Sequence, residues 1–333
     1  MELDGSTRAT LEELRVGGVI LFKRNVESPK QIRALTKALH ALPSRPLISI
    51  DQEGGRVARL REPFTEMPPA AVVGASGDPR LARRIGEAIG RELSSVGIDI
   101  DFVPVLDVHS NPDNPVIGDR AFASDPDTVA RFGVAMMRGL HAGGVISCGK
   151  HFPGHGDTAT DSHFELPVVK RSLSGLTRIE LAPFRAAIAA GIPMLMTAHV
   201  VYPALDKKRA ATVSPSIIDG LLRRRMGFRG VIASDDLHMR AISGDQSVAK
   251  AAVDSLAAGV DWLLICQELG DAVKVRDAII TALQDGTLKA SAVKRASQRV
   301  LTLMKRHARR RPKTCRLPNA RHRKLIQTLL GSG

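Results

Sequence analysis

Seven short apolar runs, rich in β-branched residues, recur along this chain: Gly18–Phe22, Pro46–Ile50, Ile98–Val103, Val145–Cys148, Met194–Thr197, Gly230–Ala233 and Val260–Ile265. They lack the apolar–polar alternation of half-exposed strands, so each reads as a strand covered on both faces, as in a parallel sheet. Segments with helical spacing lie between them. Ile32, Leu35 and Leu39 share one helical face, as do Val293, Ala296, Val300 and Leu303. Asp125 and Ser214-Pro215 read as helix starts, and Gly144, Gly191 and Gly259 as helix ends leading into the next strand. Seven repeats of strand then helix leave two architectures, an open doubly wound sheet or a closed barrel.

The placement of polar residues decides between them. Asp51-Gln52-Glu53-Gly54-Gly55-Arg56 follows the second run and Asp101 and Asp107 surround the third. Lys150-His151 follows the fourth, His199 the fifth, and Ser234-Asp235-Asp236 the sixth. Reactive groups after so many different strands converge on one place only if the strands close into a ring, which favours an α/β fold of the (β/α)8 barrel type in a single domain. An open sheet would gather them at one switch point. One strand is missing from the count. Only Met1–Asp4 precedes Gly18 as a stub, so a shortened first strand is expected.

The 333 residues are 44% hydrophobic and 25% charged, ordinary values that exclude a disordered body. No apolar run approaches the roughly 20 residues of a membrane-spanning helix, and the acidic start lacks the pattern of an export signal. Cys148, Cys266 and Cys315 are too few and scattered for a disulfide framework. These features lead us to expect a cytoplasmic protein, a monomer, with no membrane partner. The net charge of +14 is concentrated: residues 305–333 hold ten Lys or Arg and no acid. We therefore expect a barrel domain over 1–304 and a solvated basic tail over 305–333. The tail has no aromatic residue for base stacking, which weighs against a nucleic-acid partner.

The richest chemistry lies in Lys150-His151-Phe152-Pro153-Gly154-His155-Gly156-Asp157-Thr158, followed by Asp161-Ser162-His163. Glycine and proline preclude a helix there and make a tight loop. Two uses compete. His151, His155, Asp157 and His163 are possible metal ligands. Alternatively, His163 held by Asp161 suits proton transfer near neutral pH. Asp235, at the end of a strand, fits a nucleophile, a metal ligand or a helix cap, with Asp236 as its rival. Asp51, Arg59 and Arg120 each fit either a site or an ordinary ion pair.

Taken in order, the segments Ile50–Arg56, Gly118-Asp119-Arg120-Ala121-Phe122, Lys150–Asp157 with Asp161-Ser162-His163, and Ser234-Asp235-Asp236-Leu237 resemble glycoside hydrolase family 3, in particular its bacterial β-N-acetylglucosaminidases. The resemblance runs from about Gly17 to Leu303. It implies a retaining two-step hydrolysis with Asp235 as nucleophile, His163 as acid/base and Asp161 as its partner. It also implies that Asp51, Arg59, Arg120, Lys150 and His151 hold the sugar ring, with His199 near the floor and His155 and Asp157 shaping the loop. No metal and no cofactor are implied. Without an export signal or second domain, the implied branch is peptidoglycan recycling, with N-acetylglucosaminyl-anhydro-muropeptides as the small-molecule substrate. A phosphorylase of the same family and a metal-dependent barrel hydrolase remain as alternatives.

Overall fold

The computed structural model describes residues 2–160, 166–243, 247–308 and 313–331. Asp161 and His163 lie outside the described residues.

All seven expected runs form strands of one parallel sheet: β1 Gly18–Leu21, β2 Leu47–Ile50, β3 Ile100–Asp101, β4 Ile146–Phe152, β5 Met194–Thr197, β6 Val231–Asp236 and β7 Trp262–Leu264. Their spatial order follows their sequence order, each paired in parallel with the next. There is no switch point, which sets the sheet apart from the doubly wound alternative. It curls instead. Gly18 on the first strand lies against the Trp262 indole on the last, so closely that a Cβ at residue 18 would sit 2.0 Å from the ring. Arg24 Nη2 also donates to the Cys266 carbonyl at 2.7 Å, just past those two strands. Among the described residues no main-chain ladder joins β1 to β7, so packing and this side-chain hydrogen bond bridge the seam.

The amino-terminal stub departs from expectation. Residues 2–4 form no strand, and a helix spans Gly5–Leu14. The Asp4 side chain caps it by accepting from the Thr7 amide at 2.8 Å. With a capping carboxylate and a helix following at once, the segment has no room for extended pairing.

Alternate residues along each strand face opposite sides. Leu47, Ile100, Ile146, Cys148, Met194, Met196, Val231, Ala233, Trp262 and Leu264 meet in one buried cluster inside the curled sheet. Ile48, Ile50, Leu195 and Ile232 face outward and pack on the surrounding helices. The expected helix boundaries hold at Asp125, which accepts from the Thr128 amide, and at Gly144 and Gly259, which close their helices in the left-handed conformation.

The helix Ala290–Ala308 plugs the lower end of this interior. Leu303, with Val300 and Met304, enters the inner cluster. Arg299 and His307, one turn either side of Leu303, bond Asp261 and Asp99 at 2.8 and 2.9 Å. The basic tail also departs from expectation where it is described. Residues Ala320–Leu330 form a helix whose Leu325 and Ile326 are buried in the main core. His322 pairs with Glu92 at 2.7 Å and Arg323 with Glu62 at 2.7 Å. The tail's charge had hidden this apolar stripe.

Candidate active site

Two residues beyond the last apolar inward position of several strands, the inward series turns polar. On β2 the series Leu47, Ser49 continues to Asp51; on β4 Ile146, Cys148 continues to Lys150; on β6 Val231, Ala233 continues to Asp235. Phe22 and Cys266 extend β1 and β7 in the same way, and all five residues line one cavity of about 340 Å³ at the carboxyl ends of the strands. Arg59, Arg120, His151, His155 and Asp236 line it too. The volume is at the lower end for small-molecule pockets, suited to a single sugar ring.

One wall is a relay of alternating charges. Arg59 Nη2 lies 3.5 Å from Asp51, whose other oxygen accepts from Lys150 Nζ at 2.6 Å. Lys150 also pairs with Glu53 at 2.6 Å, and Arg120 grips Glu53 with two hydrogen bonds of 2.8 and 2.9 Å. The Lys150 and Glu53 side chains are only 3% and 6% exposed, and charges so deep persist only when paired. Burial would push the Glu53 carboxyl up, but Arg120 and Lys150 hold it well below the usual range. Burial likewise opposes the charge on Lys150, while Asp51 and Glu53 keep it firmly protonated.

Arg120 Nη2 approaches His151 Nε2 at 3.5 Å, and His151 Nδ1 bonds the Asp107 carboxylate at 2.7 Å. A carboxylate only accepts, so His151 Nδ1 carries a proton and donates to it. Asp107 also takes the His155 amide at 2.7 Å. His155 is buried against Thr158 at 2.9 Å, and burial with the neighbouring His151 lowers its pKa to about 4, leaving it neutral. Asp157 turns away to Arg171 and Ser110. The structure thus brings Asp51, Arg59, Arg120, Lys150, His151 and Asp235 to one cavity. Among the described residues no three His, Cys, Asp or Glu side chains are grouped to hold a metal ion.

The two adjacent aspartates differ in their freedom. Asp236 Oδ1 takes the amides of His238 and Cys266 at 3.1 and 3.2 Å and lies 3.2 Å from the His238 ring. Its carbonyl takes His199 Nε2 at 3.0 Å, which fixes that proton. Asp235 takes just the Asp236 amide, at 2.8 Å, among the described residues. Burial pushes the Asp235 carboxyl up, but the His151 and His199 imidazoles, the Asp236 amide and Lys150 more than offset it. The result is a carboxylate held ionised with lone pairs to spare.

Sequence reasoning missed Glu53 as the hub of the relay and Asp107 as the partner of His151. Glu53 stands two residues after Asp51, beside a Gly-Gly turn that leads into the ribbon of Gln52–Gly54 with Val57–Ala58. That proximity was the available signal. Asp107 had no local one, since its partner is 44 residues away.

Known proteins show the same arrangement of chain. A family model described as the glycosyl hydrolase family 3 N-terminal domain matches residues 2–303. A β-hexosaminidase of Nitrosomonas eutropha is 43% identical over 289 residues, covering 85% of this chain and 81% of that protein. The solved family 3 β-N-acetylglucosaminidase of a Paenibacillus species superposes with a TM-score of 0.94 at 38% identity, over 98% of this chain; the chain spans 65% of that structure's length. NagZ of Neisseria gonorrhoeae, solved in complex with N-trifluoroacetyl-D-glucosamine, has a TM-score of 0.78 at 34% identity over 99% of this chain and 94% of its own. A curled parallel sheet, strand-end acids around one sugar-sized cavity, and a family match over residues 2–303 carry one conclusion: the chain belongs to glycosyl hydrolase family 3.

Proposed function

We propose that this protein is a retaining, exo-acting β-N-acetylglucosaminidase. Its substrate is a terminal N-acetylglucosamine β-linked to a 1,6-anhydro-muropeptide, and it works in the cytoplasm in cell-wall recycling. We take the barrel to be of the (β/α)8 type and the enzyme to be a monomer without a cofactor. The observation that carries the reading is the asymmetry of the aspartate pair: Asp235 is ionised and open to the cavity, while Asp236 is engaged by two amides and a histidine. The relatives support it, since they are named β-hexosaminidase or β-N-acetylglucosaminidase, and one was solved with an N-acylglucosamine.

In the first step an Asp235 oxygen attacks the anomeric carbon and the glycosidic bond breaks. The departing oxygen takes a proton from His163, whose imidazolium Asp161 stabilises. A glycosyl ester on Asp235 results. Water then gives a proton to His163 and attacks the same carbon, releasing the sugar with its β configuration retained. Around the ring, Asp51 accepts hydroxyl hydrogen bonds while Arg59, Lys150 and Arg120 supply donors, and Arg120 and Lys150 keep Glu53 charged. His151 adds a polar ring edge at the cavity wall.

Hydrolysis of a chromogenic N-acetyl-β-glucosaminide by wild type and by Asp235→Asn tests this reading. Release by wild type that persists in chelator and is lost in the variant supports it. No release by wild type, or full activity in Asp235→Asn, overturns it.

A further inference from the structure

The segment with Asp161 and His163 is flanked by described residues 153–160, after β4, and 166–169. On the return, Val169 donates to the Val201 carbonyl and Val201 to the Pro167 carbonyl, both at 2.9 Å. On the way out, the Gly154 carbonyl takes the Tyr202 hydroxyl at 2.6 Å and the Thr158 carbonyl takes Asn111 Nδ2 at 3.1 Å. One side chain spans the two limbs. Arg171, just past the return, places Nη2 on Asp157 of the outgoing limb and donates to Ser110 Oγ at 3.1 Å. Beneath it, Arg171 Nε lies 2.8 Å from Glu180 Oε1. Glu180 stands immediately before the helix Leu181–Ala189, and its side chain is fully buried. Gly154 packs directly on it: a Cβ there would come within 2.7 Å of Glu180 Cβ.

We propose that Arg171, seated on Glu180 and bonded to Asp157, is a positioning residue that clasps the base of this loop and so fixes where the proton donor meets the glycosidic oxygen. The proposal rests on the assignment of His163 as acid/base in the preceding section. Glu180 is the telling part. Neither of its carboxylate oxygens has a well-aligned hydrogen bond, and burial pushes its acid up to about 7. An apolar side chain would fill that space at less cost in desolvation. What the carboxylate adds is attraction for the guanidinium, whose Nε lies 2.8 Å away. Misplacing a reacting group by about 1 Å costs on the order of 100-fold in rate.

A proton donor matters for a poor leaving group and hardly at all for one that departs as a stable anion. The test therefore compares kcat/KM on two N-acetyl-β-glucosaminides, an alkyl glycoside and the 2,4-dinitrophenyl glycoside. The enzymes are wild type, His163→Ala, Arg171→Met, Asp157→Asn and Glu180→Gln, each with its Tm. We expect Arg171→Met to lose about 100-fold on the alkyl glycoside while staying within about threefold on the dinitrophenyl glycoside. Glu180→Gln should show the same selectivity with a smaller loss of about tenfold. If Arg171→Met fails to fold, Asp157→Asn, which keeps the carbon framework, carries the same comparison. Parallel losses on both substrates, or no loss in folded variants, overturn the clasp. A His163→Ala enzyme without leaving-group selectivity overturns instead the acid/base assignment on which the clasp rests.

Discussion

Two pairs of aspartates at opposite ends of the sheet strands live differently. Asp51, just past β2, and Asp235, near the carboxyl end of β6, face the cavity. Asp99 and Asp261, just before β3 and β7, face the scaffold. Each takes the amide of a neighbouring strand, Ile48 at 2.8 Å or Ile232 at 2.9 Å. Each also gathers two basic side chains from surrounding helices: His40 and His307 for Asp99, Arg223 and Arg299 for Asp261. One member of each pair, His307 or Arg299, comes from the helix that plugs the lower end. The lesson concerns satisfaction. A lower carboxylate with both oxygens committed has no capacity left for a ligand and serves to fasten strand to helix. An upper carboxylate with spare lone pairs can receive a sugar hydroxyl or attack a carbon.

Mutations at the two ends should therefore separate activity from stability. Asp235→Asn should reduce kcat on the order of 10⁴-fold or more with Tm nearly unchanged; a comparable fall in Tm would erase the distinction. Asp261→Ala should do the opposite, costing about 3–5 kcal/mol in denaturant unfolding because it strands two guanidiniums, with kcat of the folded enzyme preserved. Leu303→Ala, which removes the plug between the two pins, should cost about 2–4 kcal/mol and likewise spare kcat. The smallest effect is a pH dependence. Burial pushes Asp99 up, but His307 and His40 with the Ile48 amide bring its pKa down to about 2. A carboxyl depressed on folding stabilises above its unfolded value near 4 and loses that contribution as pH falls from about 4 to 2. The loss is about 2 kcal/mol and should be absent from the acid unfolding of Asp99→Asn.

The strands were legible because continuous β-branched runs have few other uses at that length, and all seven were placed from Gly18, Leu47, Ile100, Ile146, Met194, Val231 and Trp262 onward. Asp51, Lys150 and Asp235 were legible because chemistry at strand ends must be inward to matter, and period two carries each strand's inward face to them. Their partners were not. Arg120 meets Glu53 across 67 residues, and Asp99 meets His307 across 208; neither pairing leaves a local trace in the sequence. The tail was misread for a different reason. Its ten cations with no acid read as a solvated charge run, which masks the apolar pair Leu325 and Ile326 on the helix Ala320–Leu330. The amino-terminal helix was missed because Gly5-Ser6-Thr7 gives weak helix propensity, while the Asp4 cap supplies the start.

The seam between β1 and β7 gives the molecule a weak meridian. Elsewhere around the sheet, parting two strands breaks a ladder of main-chain hydrogen bonds. Along the line where the Trp262 indole rests on Gly18, parting them costs packing and the Arg24 tether. Local opening takes the cheapest route, so fluctuation is channelled there rather than spread around the ring. In hydrogen-exchange terms, the slow amides should cluster in the central strands opposite the seam, with protection falling toward both of its sides. The seam meets the cavity at Phe22 and Cys266. The site thus combines a rigid far wall, where β4 and β6 hold Lys150 and Asp235, with a near wall able to yield as a sugar enters or leaves.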